Sequence, residues 1–109
     1  MRTLRFNVNG QIIQQDPNCD FSGLVPGTVG YLLAEFTFSE EWSGCTKVAA
    51  FYSPMGKEYP PQILVDGRSC VIPMEALARQ TFTVQVVGKK KDFKMTTNKV
   101  AVKQDGGGK

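Results

Sequence analysis

The chain has 109 residues, with thirteen Lys and Arg against ten Asp and Glu, three Cys and no His. This length is typical of one domain, and a 41% share of apolar residues is enough for a single hydrophobic core. The lack of imidazole excludes Ser-His-Asp and Cys-His catalysis and histidine-ligated zinc sites, and the net charge of +3 does not by itself indicate nucleic-acid binding. We therefore expect a protein that is not an enzyme and holds no cofactor or metal.

The three cysteines, Cys19, Cys45 and Cys70, are spaced by 26 and 25 residues and form no C-x-x-C pair. An odd number of scattered cysteines is typical of reduced thiols in a protein assembled in a cytosol. We therefore predict structural thiols and no disulfide. No apolar run approaches the length of a membrane span, and the N-terminus has no apolar signal core.

Alternating apolar and polar residues predict a β-hairpin at the start of the chain. The Asn-Gly dipeptide at 9–10 supplies the two positive-φ positions of a type I′ turn. This turn places Phe6 opposite Ile13, so that both side chains lie on one face of the hairpin. Residues 16–30, with two Pro and three Gly, are then predicted to form a long loop.

The alternation continues through most of the remaining chain. The eight predicted strands cover residues 3–8, 11–15, 31–38, 46–52, 61–65, 68–72, 81–87 and 94–103. A single helical turn is predicted at 39–44 and a helix of two turns at 73–80. The Asp-Gly dipeptide at 66–67 predicts a second hairpin, with Ile63 opposite Cys70.

Short strands joined by turn signals at this spacing predict an all-β fold. We predict an antiparallel immunoglobulin-like β-sandwich with one short helix before the penultimate strand. The predicted domain covers residues 1–103, and residues 104–109 form a flexible Gly-rich tail.

One candidate binding segment is a basic loop that contains Lys89, Lys90, Lys91 and Phe93. Lysines beside an aromatic ring are suited to a phosphate backbone and a stacked base. The same residues also suit the solvated tip of a hairpin, which is the interpretation that we favour. Nucleic-acid binding through these lysines is therefore a weak alternative.

Three other aromatic residues are candidate partner-binding residues. Trp42, the only Trp, follows a predicted strand and is expected to close one end of the core, although a lone Trp also suits stacking on a sugar. Tyr31 and Tyr59 are expected on outward faces or loops, where clustered aromatic residues would form a protein-binding surface. Glu40 and Glu41 beside Trp42 are explained by the dipole of a helical turn rather than by catalysis.

Five segments of the chain carry a family resemblance. They are residues 4–11 (LRFNVNGQ), 31–42 (YLLAEFTFSEEW), 71–77 (VIPMEAL), 82–88 (FTVQVVG) and 95–100 (MTTNKV). These segments resemble small structural domains of tailed bacteriophages, namely the immunoglobulin-like N-terminal modules of baseplate upper proteins and of head or tail fibre proteins. The likeness covers residues 3–103, and residues 31–42 are its most specific part.

The resemblance implies a non-catalytic virion protein, made in the cytoplasm of a host bacterium, that docks on a capsid, tail or baseplate. It implies other virion proteins as partners, several copies or a homo-oligomer, and no membrane. Because the sequence stops at a Gly-rich tail, we expect a decoration or fibre-anchoring subunit rather than a complete fibre. The alternative is a carbohydrate-binding module that recognises host-surface glycans through Trp42 and neighbouring Tyr side chains.

Overall fold

The structure is a computed structural model that describes residues 1–105. Within these residues the strands are β1 (Arg2–Asn9), β2 (Ile12–Gln15), β3 (Leu32–Phe38), β4 (Thr46–Tyr52), β5 (Gln62–Ile63), β6 (Ser69–Val71), β7 (Thr81–Lys90), β8 (Phe93–Thr96) and β9 (Val100–Lys103). A 3₁₀ turn covers Glu40–Trp42, and helix α1 covers Met74–Leu77. Between β2 and β3 there is no strand or helix, as the loop prediction required.

Two sheets pack face to face, which confirms the predicted all-β sandwich. One sheet has the order β2-β1-β3-β6, and the other has the order β5-β4-β7, with β8 and β9 one after the other along the far edge of β7. The prediction that all strands are antiparallel is wrong at one pair, because β1 and β3 run parallel with Phe6 beside Phe36. The reason is that β2 and β3 lie on opposite sides of β1, and the loop between them crosses one end of the sheet.

The core lies between the sheets and follows the alternation of the sequence. In β7, for example, Phe82, Val84 and Val86 are fully buried, whereas the residues between them are partly exposed. The Phe6 and Phe36 rings stack at 5.3 Å between centroids across the parallel pair. A period of two thus places one face of β1, β3 and β7 in the core, as expected for a sandwich.

The first hairpin forms where it was predicted, but with a different turn. Val8 lies opposite Ile13, so the two turn residues are Gly10 and Gln11 rather than Asn9 and Gly10. Gly10 has a φ of 59°, and a positive φ at the first turn position alone is the requirement of a type II′ turn. The predicted pairing of Phe6 with Ile13 is therefore wrong by two residues. A shift of two keeps every side chain on its face, so the burial of both residues is unaffected.

The second predicted hairpin is wrong in its pairing. The turn residues have the expected positive φ angles, but Ile63 of β5 lies opposite Val48 and Cys70 of β6 lies opposite Ala34. Only an isolated bridge between Val65 and Ser69 joins the two segments. The chain passes from one sheet to the other at this turn, so each strand finds its partner in a different sheet.

The C-terminal part differs from the prediction in its boundaries. Strand β7 extends to Lys90, and the predicted last strand is interrupted between β8 and β9. At the interruption, the Thr97 hydroxyl accepts a hydrogen bond from the Val86 N–H at 3.0 Å, and the Thr97 N–H donates to the Val86 carbonyl at 3.1 Å. The segment between β8 and β9 has one residue more than the part of β7 opposite it. This extra residue forms a local bulge beside the continuous strand β7. Helix α1 is about half as long as the predicted helix.

The flexible tail was predicted to begin at residue 104, but the first two of its residues pack against the domain. Gln104 is buried, and its Nε2 donates hydrogen bonds to the carbonyls of Leu77 at 3.0 Å and Arg79 at 2.6 Å. The Asp105 N–H donates to the Leu24 carbonyl at 2.6 Å. The folded domain therefore includes Gln104 and Asp105, and the rest of the predicted tail lies outside the described residues.

The strands run lengthwise between two ends of the sandwich. The candidate binding residues are described by the end at which they lie. We call one the tryptophan end; it carries the β1–β2 turn, the 3₁₀ turn and the β7–β8 turn. We call the other the helix end; it carries α1, the loop between β2 and β3, and Gln104. No helix within residues 1–105 is long and apolar enough to cross a membrane.

Candidate partner-binding surfaces

Trp42 closes the core at the tryptophan end. Its side chain is fully buried, its Nε1 donates a hydrogen bond to the Gly10 carbonyl at 2.9 Å, and its ring centroid lies 5.2 Å from that of Phe38. The prediction that Trp42 closes the core is confirmed. Since neither face of the indole ring is exposed, Trp42 provides no surface on which a sugar could stack.

Gly88 makes room for this indole ring, which the sequence did not reveal. A glycine followed by lysines predicts a turn, yet Gly88 lies inside β7 on its inward face. A Cβ at this position would lie 2.6 Å from Cζ3 and 2.7 Å from Cε3 of Trp42. Only glycine lets the strand backbone pass so close to the ring.

The basic segment forms a hairpin tip, as predicted. Lys90 lies opposite Phe93 across the β7–β8 turn, its Nζ is 5.1 Å from the Phe93 ring centroid, and it also donates to the Ser43 carbonyl at 3.2 Å. Lys89 and Lys91 are exposed. The tip is therefore a solvated turn in which Lys90 and Phe93 contact each other.

The two candidate tyrosines lie at the helix end, away from these lysines. Tyr31 is 51% exposed immediately before β3, where its carbonyl accepts a hydrogen bond from the Arg2 N–H at 2.9 Å. Tyr59 is only 7% exposed. Both tyrosines lie outside the strands, as expected, but Tyr59 is buried and adds nothing to an exposed surface. The fold does not bring either tyrosine beside Trp42.

One lateral side of the sandwich, between β2 and β8–β9, is closed by side-chain amides. The Ile13 N–H donates to Oδ1 of Asn98 at 2.8 Å, and the Asn98 N–H donates to the Gln11 carbonyl at 3.0 Å. Further along, Nε2 of Gln15 donates to the Ala101 carbonyl at 3.0 Å. These bonds occupy backbone groups that an edge strand otherwise offers to another strand. We call this side the seam.

The opposite lateral side, which we call the β5–β6 side, is apolar and exposed. Its two edge strands have only two and three residues. Ile63, Val65 and Val71 are 70%, 64% and 43% exposed there. Ile63 lies opposite Val48 on the outer face of one sheet and Val71 lies opposite Leu33 on the outer face of the other, so the exposed aliphatic side chains lie on both faces of this edge. Exposed aliphatic side chains at a sheet edge are typical of a surface that contacts another protein.

Ionic and metal-binding features are sparse in the described part of the chain. Its one ion pair joins Arg5 and Glu35 at 3.0 Å on an exposed sheet face, where such pairs contribute little to stability. Within residues 1–105, no group of three or more His, Cys, Asp or Glu side chains is placed to hold a metal ion. Cys19, Cys45 and Cys70 are free thiols, as predicted.

Burial raises the pKa of the Cys70 thiol to about 12. The reactive thiolate is therefore scarce near neutral pH, and we expect iodoacetamide at mildly alkaline pH to modify Cys70 only after unfolding. Mass spectrometry of native and urea-unfolded samples, with peptide assignment, measures this. Rapid alkylation of Cys70 in the native protein would contradict the expectation.

The same shift has a consequence for stability. Because the folded pKa exceeds the ordinary value of 9.0, the neutral thiol contributes stability that is complete below pH 9.0 and is lost as the pH rises towards about 12. Urea unfolding across this range, compared with a Cys70→Ala variant, separates this contribution from other alkaline effects. An identical pH dependence in both proteins would contradict the assignment.

Comparison with known proteins gives no match: no protein-family model, no curated protein and no solved structure matches this chain.

Proposed function

We propose that this chain is a non-catalytic structural module of a tailed-bacteriophage virion that docks on a capsid, tail or baseplate through its β5–β6 side. The observation that carries the proposal is the difference between the two lateral sides. The seam has its edge groups bonded, whereas the β5–β6 side exposes Ile63, Val65 and Val71 to solvent.

A partner that wraps around this edge and covers all three side chains removes apolar surface from water, which contributes roughly 25 cal/mol per Å² buried. The short strands β5 and β6 offer few free backbone groups, so side-chain burial is the main contribution. Pro60 and Pro61 immediately before β5 lack N–H donors and restrict further strand pairing. This favours packing against a folded surface over the addition of an extended peptide.

The class of partner in the proposal comes from the sequence resemblance. We also propose that the fold is immunoglobulin-like. Two packed sheets around one core in a domain of this size support this classification. The parallel β1–β3 pair is a departure from a wholly antiparallel sandwich. Virion shells repeat their subunits by symmetry, so the module would be present in several copies, as a decoration or as the anchor of a fibre.

Mass spectrometry of purified virions tests the proposed location. We expect the polypeptide in particles from the phage that encodes it, at a copy number matching a symmetric component, and its absence from particles made after deletion of its coding sequence. Cryo-electron microscopy of the two preparations then shows which part of the virion loses density. Absence of the polypeptide from intact particles would overturn the proposal.

A matched pair of variants tests the proposed surface. Ile63→Lys places a charge on the β5–β6 side, whereas Ile12→Lys places the same charge on β2, where the native side chain is 56% exposed. We expect the first variant to be incorporated about tenfold less, because a charge buried at an interface is unfavourable, and the second to be incorporated normally. Thermal unfolding shows that both remain folded. Equal incorporation of both variants contradicts docking through the β5–β6 side.

A further inference from the structure

A cleft of about 620 Å³ opens at the helix end, between the turn at residues 53–57 and the segment at 78–81 that joins α1 to β7. Its size lies within the range of small-molecule sites, which is roughly 300–1,000 Å³. Apolar surface from Pro54, Met55 and Ala78 lines part of it, and polar or charged side chains line the rest.

Both walls of this cleft are held by hydrogen bonds. In the first wall, Oγ of Ser53 accepts from the N–H groups of Met55 and Lys57 at 3.2 and 3.0 Å. In the second wall, the Arg79 carbonyl accepts from the buried side chain of Gln104 at 2.6 Å. The backbone positions of Lys57 and Arg79 are therefore defined by the fold, although both side chains are exposed.

The charge in the cleft is entirely positive. Lys57 and Arg79 line it and no carboxylate does. Within residues 1–105, neither cation forms an ion pair or a side-chain hydrogen bond with the protein. Glu58 follows Lys57 in sequence, but its backbone forms an isolated bridge with Tyr52 and it does not line the cleft.

The cleft also contains a buried polar group that lacks a partner. Tyr59 lines the cleft, and its hydroxyl is inaccessible to solvent and has no hydrogen-bond partner in the described part of the chain. A buried hydroxyl without a partner is unfavourable, and most such groups in proteins are bonded. Because water does not reach this hydroxyl, an oxygen of a ligand in the cleft does not reach it either, and Tyr59 contributes its ring to the lining.

We propose that this cleft binds an organic anion whose charged group is a carboxylate or a phosphate. Arg79 donates paired hydrogen bonds to the oxyanion, and Lys57 neutralises it from the opposite wall. The apolar body of the ligand contacts Pro54, Met55 and the ring of Tyr59. This site goes beyond docking in a virion, and its residues differ from those of the β5–β6 side.

Titration of ¹⁵N-labelled protein at low ionic strength tests the site, with benzoate and phenyl phosphate as the two probes. We expect saturable changes in the amide signals of Lys57, Arg79 and their neighbours with at least one probe. The probe that saturates at the lower concentration identifies the charged group. No saturable change with either probe overturns the proposal, even if the chain is found in virions.

Two double variants separate a specific site from general attraction of anions. Lys57→Gln with Arg79→Gln removes both cations of the cleft, and Lys89→Gln with Lys91→Gln removes the same charge at the tryptophan end. We expect the first to weaken binding at least about tenfold and the second to change it less than about twofold. Equal weakening of probe binding by both double variants would show a general attraction of anions and would overturn the proposed site.

Tyr59→Phe removes the unpartnered hydroxyl while keeping the ring that lines the cleft. We expect binding to change less than about twofold, because the hydroxyl is out of reach of the ligand, and the folded protein to remain at least as stable as the parent, because the lost hydroxyl has no partner in the free protein. A tenfold loss of binding would contradict the placement of the ligand against the ring alone. A marked loss of stability contradicts the unpartnered state of the hydroxyl.

Discussion

Replacement of Trp42 by alanine should lower the free energy of unfolding by about 3–5 kcal/mol, the range observed for removal of a large buried aromatic side chain. The indole ring is fully buried at the end of the sandwich and packs against Phe38. Its removal leaves a cavity and also leaves the Gly10 carbonyl without the Nε1 donor. Urea unfolding followed by far-ultraviolet circular dichroism measures the effect, since the variant has no tryptophan fluorescence.

Two further variants make this measurement interpretable. Tyr31→Ala removes an aromatic side chain that is half exposed, and its effect should be much smaller than that of Trp42→Ala. Trp42→Phe retains part of the ring and should fall between the parent and Trp42→Ala, which provides a value even if the alanine variant fails to fold. A loss below about 1 kcal/mol for Trp42→Ala would contradict its role in closing the core.

Gly88→Ala should destabilise the protein by about 1–3 kcal/mol, although it adds only one methyl group. The new Cβ would lie 2.6 Å from Cζ3 of Trp42 and 3.3 Å from Cβ of Cys45. Because Gly88 does not have a positive φ, the cost arises from steric overlap rather than from the backbone conformation. Thermal or urea unfolding of the purified variant measures it.

A double-mutant cycle with Trp42→Phe identifies the source of the Gly88 effect. The smaller ring relieves the overlap, so Gly88→Ala should cost less in the Trp42→Phe background than in the parent, and the two changes should not be additive. Equal costs in the two backgrounds would show that the indole ring is not the obstacle.

The sequence predicted the strands better than their partners. Alternation identified β3 and most of β7, because each buries every second side chain against a single core. It did not predict the parallel β1–β3 pair, since a period of two is the same for either strand direction. The turn at Asp66 and Gly67 was also recognised, but a local turn signal does not show that the chain changes sheet there.

A candidate surface could be predicted from the sequence only where a single segment of the chain contains all of its residues. The lysine tip is local in sequence, and the burial of Trp42 follows from its place after a strand. By contrast, Lys57 and Arg79 are far apart in sequence, and only the packing of their two segments makes a cleft. Ile63 was assigned to a hairpin with Cys70, which concealed its exposure at the edge of the other sheet.

The two ends of the sandwich also determine how the domain would be oriented on anything covalently joined to it. Arg2 begins β1 beside Leu32, and Gln104 follows β9, so the chain enters and leaves at the helix end. Strand β7, with ten residues, spans about 33 Å to the opposite end. A protein joined ahead of Arg2 would therefore attach at the helix end and hold the lysine tip outermost, as the part of the domain farthest from its attachment.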